Sequence, residues 1–183
     1  MILLVIGTAL FFGVHLIPSS PLKSRLVGAF GQNKYKLLFS VMSITGLGLI
    51  IYGFSLAGFV PLWDPLPWGR TAAVLTMPLA IILLISADLP NNIKRWVRHP
   101  MLLGLALWGS THLLANGDLA STIVFASFAL FAVLDLILVT VGGRGKVHLP
   151  VSRRWDLAVV AIGLVLYFVL YYFHGFLTGM PLR

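Results

Sequence analysis

The chain contains 183 residues, of which 59% are hydrophobic and 10% are charged, whereas about a quarter of the residues in a soluble domain are charged. This composition indicates an integral membrane protein. The net charge of +8 comes from 13 Lys and Arg residues against five Asp. In so apolar a chain the basic residues are expected to set the membrane topology rather than to bind nucleic acid. A nucleic-acid-binding module is therefore excluded. The lack of cysteine excludes disulfides, thiolate metal sites, Cys-ligated haem and iron–sulfur clusters held by the protein's own thiolates.

Six apolar stretches are long enough to predict membrane-spanning helices, which need about 20 residues each. They cover Met1–Pro18, Leu37–Val60, Thr71–Leu89, Val97–Ala115, Leu119–Val141 and Asp156–Phe176. The first stretch lacks the basic leader and the small-residue cleavage site of a secretory signal, so we expect it to be retained as a span. The pattern predicts an all-α fold, a polytopic membrane helical bundle of about six transmembrane helices, with residues 1–183 as one domain in the lipid bilayer.

Basic residues are concentrated in alternate loops of this predicted bundle. These are Lys23, Arg25, Lys34 and Lys36 in the first loop, Lys94, Arg95 and Arg98 in the third, and Arg144, Lys146, Arg153 and Arg154 in the fifth. Because cytoplasmic loops carry an excess of Lys and Arg, these loops are expected on the cytoplasmic side. The topology then places Pro61–Arg70, Asn116–Asp118 and both termini outside, in the periplasm.

Ionisable side chains inside the spans are costly in hydrocarbon and therefore indicate either a partner or a function. The candidates are His15, Asp88, His99, His112, Asp135 and His174. Depth can be estimated at about 1.5 Å per residue from the predicted helix ends. On this estimate four candidates lie in the inner half of the bilayer, namely His15, Asp88, His99 and Asp135. The other two, His112 and His174, are expected near the outer ends of their helices.

Two imidazoles at similar depth on different helices can clamp a b-type haem, which is how helical bundles commonly hold this cofactor. In such a site Asp135 can accept the second ring N–H of a ligand histidine. Arg98 or Arg95 can meet the haem propionates at the cytoplasmic interface. The same residues admit another interpretation, in which each histidine hydrogen-bonds a neighbouring helix and the aspartate forms an interhelical hydrogen bond or ion pair.

Several segments along nearly the whole chain resemble the NnrU family of bacterial membrane proteins. In the N-terminal part they are Phe12-Gly13-Val14-His15, Leu22-Lys23-Ser24-Arg25-Leu26 and Gly31-Gln32-Asn33-Lys34-Tyr35. Further along they are Arg98-His99-Pro100-Met101-Leu102-Leu103-Gly104, Leu107-Trp108 and His112-Leu113-Leu114-Ala115-Asn116-Gly117-Asp118. The resemblance implies a multi-pass protein of the bacterial inner membrane associated with denitrification, in particular with nitrite and nitric oxide metabolism. Its partners would be membrane redox or denitrification proteins.

The family is also similar to the plant 15-cis-zeta-carotene isomerase, in which a histidine-ligated b-type haem is proposed to drive double-bond isomerisation. By motif, His15, His99 and His112 match the histidines of that group, and the resemblance implies haem b as the cofactor and these three as candidate metal ligands. The depth estimate favours His15 with His99, because His112 is expected about 15 Å nearer the outer face. His112 stays a candidate because helix tilt changes depth.

Two other functions compete with a haem protein of redox or isomerase type. One is a non-catalytic membrane partner that supports assembly or transport for denitrification enzymes. The other is an S-adenosylmethionine-dependent membrane methyltransferase, because Arg98-His99-Pro100 resembles the RHPxYxG segment of the isoprenylcysteine carboxyl methyltransferases. Leu102 replaces the aromatic residue of that segment and the chain contains no Glu to hold the cofactor, which weakens the methyltransferase hypothesis.

Overall fold

The computed structural model describes residues 1–143, 148–180 and 182, and over these residues the chain forms helices and no β-strand. The helices are α1 (Ile2–Leu16), α2 (Leu22–Phe30), α3 (Gln32–Ser55), α4 (Gly69–Asp88), α5 (Ile93–Trp96), α6 (Pro100–Ala115), α7 (Leu119–Val141) and α8 (Arg153–Thr178). A 3₁₀ turn, Ile17–Ser19, extends α1. The all-α prediction is confirmed.

Five of these elements are long and apolar enough to cross a membrane. They are α1 with its 3₁₀ turn, α3, α4, α7 and α8. The sixth predicted span, Val97–Ala115, is the shorter apolar helix α6, which has 16 residues and measures about 24 Å at 1.5 Å per residue. It begins only at Pro100 because the residue before a proline disfavours helical dihedrals, and His99 has φ −130° and ψ 64°.

The main contacts between helices arrange them in the order α3, α1, α7, α6, α4, α8. Glycines bring several neighbours close together. A Cβ on Gly46 would lie 2.9 Å from the backbone nitrogen of Phe11, and one on Gly109 would lie 2.9 Å from the carbonyl oxygen of Phe125. Small residues of this kind let membrane helices pack backbone to backbone, which fixes the vertical register between neighbours.

Hydrogen bonds fix the connections at both ends of the bundle. At one end, called the outer end, Leu62 N donates to Gly117 O at 2.8 Å and Leu119 N donates to Val60 O at 2.8 Å. At the opposite, inner end, Asn92 donates from its backbone N and from Nδ2 to the carboxylate of Asp156, at 2.6 and 2.7 Å. This pair joins the α4–α5 connection to the first turn of α8.

The alternating direction of the helices places the described basic residues of all three basic loops at the inner end. Arg144 and Lys146, which the sequence places in the same group, lie outside the described residues. Which end faces the cytoplasm stays a prediction from the positive charge.

Candidate functional site

His15 lies near the inner end of α1 in a surround of aromatic rings. Its Nδ1 is 2.7 Å from the carbonyl oxygen of Phe11, one turn earlier. A carbonyl only accepts, so Nδ1 carries a proton, and in the neutral ring Nε2 is then the nitrogen with the free lone pair. The imidazole stacks on the Phe11 ring at 4.1 Å and meets the edges of Phe39 and Phe131 at 5.2 and 6.0 Å. The imidazole is therefore oriented by Phe11 through Nδ1, and Nε2 is the ring nitrogen that can bind a ligand.

His112 repeats the arrangement on α6. Its Nδ1 donates to the carbonyl oxygen of Trp108 at 2.9 Å, so Nε2 is again the ring nitrogen left without this contact. The ring lies 4.8 Å from Phe125 and 5.2 Å from Trp108. Both histidines are half-buried.

The ring of Phe128 connects the two histidine environments. It lies 5.6 Å from Phe11, next to His15, and 5.3 Å from Trp108, next to His112. The surrounding rings therefore form one aromatic cluster at the junction of α1, α3, α6 and α7. Its members are Phe11, Phe12, Phe39, Trp108, Phe125, Phe128 and Phe131.

The register along α7 gives the relative depth of the two histidines. His15 is level with Phe131 and His112 with Phe125, so they differ in depth by about 9 Å at 1.5 Å per residue. The two histidines therefore contact one aromatic cluster at two different depths.

His99 lies at a different place from the other two histidines. It is the N-cap residue of α6, about 20 Å inward of His112 and therefore about 11 Å inward of His15. Depth measured from the predicted helix ends places His15 and His99 at the same level in the bilayer. Packing sets the register instead, because Gly46 and Gly109 lock α3 to α1 and α6 to α7. In depth His112 is thus slightly closer than His99 to His15.

Asp135 and Arg98 lie towards the inner end. Asp135 accepts a hydrogen bond from Ser19 Oγ at 2.5 Å, one turn inward of the contact between Phe131 and His15. This carboxylate therefore bonds a serine rather than the imidazole. Arg98 is exposed beside the start of α6. Among the described residues, no group of three or more His, Cys, Asp or Glu side chains is arranged to hold a metal ion.

Several residues of this site were missed by the sequence analysis. Phe11 and Trp108 precede their histidines by four residues, and this aromatic-x-x-x-His spacing is visible in the sequence as a signal for ring packing on one helix face. Phe128 and Ser19 carry no such signal, because their roles depend on where α7 lies beside α1.

Comparison with known proteins places the chain in a family. The family model described as "NnrU protein" matches residues 3–182. No curated protein and no solved structure matches the chain. Since the family model covers nearly the whole chain, this multi-pass membrane protein belongs to the NnrU family.

Proposed function

We propose that the chain is a haem protein of the bacterial inner membrane in which His15 is an axial ligand of a b-type haem, serving redox metabolism linked to nitrite and nitric oxide. The observation that carries the proposal is the orientation of the His15 ring. Its Nδ1–H is held by the carbonyl of Phe11, which leaves Nε2 as the nitrogen that would bind a metal. Ligand histidines commonly donate their second ring N–H in this way, which fixes the tautomer and strengthens donation to the metal.

The chemistry of the donor set fits a haem held through one imidazole. The chain has no cysteine, so a thiolate ligand is excluded, and histidine is among the side chains that could hold a haem iron. Aromatic rings on three sides of His15 offer the apolar contacts that a porphyrin requires. His112 has the same ring arrangement about 9 Å nearer the outer end, so the geometry supports a single ligand at His15 better than two ligands on one iron.

Different side chains would have different roles in binding the haem. Phe11 orients the imidazole, and Phe39 and Phe131 pack against it. The exposed Arg98 at the inner end can pair with carboxylates such as haem propionates. When bound, a b-type haem would supply a redox-active iron that can also bind diatomic molecules such as nitric oxide.

The test is an absorption spectrum of the protein purified in detergent from cells supplied with a haem precursor. We expect a Soret band, sharp reduced α and β bands, a b-type pyridine haemochrome and about one haem per chain. A featureless spectrum despite adequate haem supply would contradict the proposal. A colourless protein that co-purifies with a denitrification enzyme would support the assembly role instead, and calorimetric binding of S-adenosylmethionine would support the methyltransferase.

A further inference from the structure

Two buried hydroxyl groups of α3 find no hydrogen-bond partner within the described part of the chain. They are Tyr35 Oη and Ser43 Oγ, and the side chain of Tyr35 is only 8% exposed. A buried hydroxyl without a partner is unfavourable, and inside a bilayer no bulk water compensates for the loss. Such groups are satisfied by ordered water when the protein offers nothing else.

The packing of α3 on α1 places one of these hydroxyls beside His15. Gly46 lies against Phe11, and the two helices run in opposite directions. Ser43, one turn inward of Gly46, is therefore level with His15, one turn inward of Phe11. Phe39 lies on the same face of α3 between the two hydroxyls, and its ring is 5.2 Å from His15 and 6.3 Å from Tyr35.

The other hydroxyl, Tyr35 Oη, lies at about the depth of an open pocket at the inner end. The register between α1 and α3, extended inward beyond the end of α1, places Tyr35 level with the start of α2. Helix α2 packs on α3. An open pocket of about 420 Å³ lies in this segment. Its lining residues are Pro18, Ser20, Pro21, Lys23 and Ser24. The pocket therefore lies close to the depth of Tyr35, and two serines and one lysine are among its lining residues.

We propose that a file of water molecules runs from this pocket between α1 and α3, past Tyr35, and ends at Ser43 beside His15. Tyr35 and Ser43 are separated by about 12 Å along α3, so one water cannot serve both and several are required. The file brings the inner aqueous phase to the level of His15. Because it rests on α1, α2 and α3 alone, it does not depend on the proposed haem.

X-ray radiolytic footprinting of the whole protein in detergent tests the file, because hydroxyl radicals formed from bound water label the side chains next to it. The internal control is Tyr167, which is more exposed than Tyr35 but donates its hydroxyl to Val74 O. We expect Tyr35 and Phe39 to be labelled several-fold faster than Tyr167 in spite of their burial. Labelling of Tyr35 and Phe39 no faster than that of Tyr167 would overturn the proposal.

Two variants give a second readout. In Ser43→Ala we expect labelling of Phe39 to fall several-fold while labelling of Tyr167 is unchanged, with helix content and elution volume as checks of folding. In Tyr35→Phe we expect a lower or unchanged melting temperature, because a hydroxyl bonded to water is being removed. A clearly raised melting temperature would show that the hydroxyl is unsatisfied and would overturn the proposal even if Ser43→Ala failed to fold.

Discussion

Glycine residues in α3 show how single side chains set the position of His15. Gly46 is buried against α1, where an added Cβ would lie 2.9 Å from Phe11 N, closer than real Cβ atoms approach. Gly48, two residues later, has nothing within 4 Å of the same position. The first glycine therefore holds α1 and α3 together, whereas the second has no packing role in the monomer.

The two glycines give a matched pair of variants. Gly46→Ala is expected to destabilise the protein by about 1–3 kcal/mol, because α1 must shift away from α3. Gly48→Ala is expected to be neutral or to stabilise by up to about 1 kcal/mol, the difference in helix propensity. Denaturant unfolding in mixed micelles, followed by helix content, measures both changes. Equal effects of the two substitutions would show that α1 does not pack on Gly46.

The candidate site was only partly predictable from the sequence. Intramembrane histidines are rare enough that His15 and His112 stood out by residue type alone. Their hydrogen bonds to residues four positions earlier follow from helix geometry, so these contacts could have been predicted. Phe128, Ser19 and the unpartnered Tyr35 could not, because their roles depend on lateral packing that no local pattern encodes.

Among the secondary-structure elements, apolar length predicted the long spans well because a bilayer requires every backbone group to bond within its own helix. The exception is the predicted span Val97–Ala115, in which Pro100 delays the start of α6. The short helices α2 and α5 were not predicted either. Both occur at the inner end and are too short to be marked by apolar length, although Leu22, Leu26 and Phe30 recur in α2 at helical spacing, a signal that the search for spans did not use.

The contact between Asn92 and Asp156 fastens the start of α8 to the α4–α5 connection, and its loss is testable. Asp156→Ala removes the acceptor of two hydrogen bonds from Asn92. We expect a lower melting temperature than in the wild type, measured by thermal shift in detergent. Asp64→Ala, which removes an exposed carboxylate from the outer connection, serves as the control and should leave the melting temperature unchanged. A melting temperature of Asp156→Ala equal to that of the control would show that α8 is held by its apolar face alone.

For the molecule as a whole, charge predicts an orientation that packing alone does not decide. The described basic loop residues cluster at the inner end, whereas Arg70 is at the outer end. The excess of Lys and Arg in cytoplasmic loops therefore predicts that the inner end faces the cytoplasm.

The lack of native cysteine makes this orientation directly measurable. Single substitutions at exposed positions, Asp64→Cys at the outer end and Ser152→Cys at the inner end, introduce one thiol each. With a membrane-impermeant maleimide, we expect Asp64→Cys to react in spheroplasts and Ser152→Cys to react only after the membrane is permeabilised. The reverse pattern would place the basic end outside and contradict the topology.

The proposed function depends on His15 as the ligand of a haem. The most direct test of this role is the haem content of histidine variants. His15→Ala, His112→Ala, His99→Ala and His148→Ala would be purified in parallel with the wild type, with helix content and elution volume confirming the fold. We expect the haem-to-protein ratio to collapse in His15→Ala and to match the wild type in His148→Ala, whose side chain lies in a loop. A folded His15→Ala protein that keeps the wild-type spectrum and haem content would contradict the account.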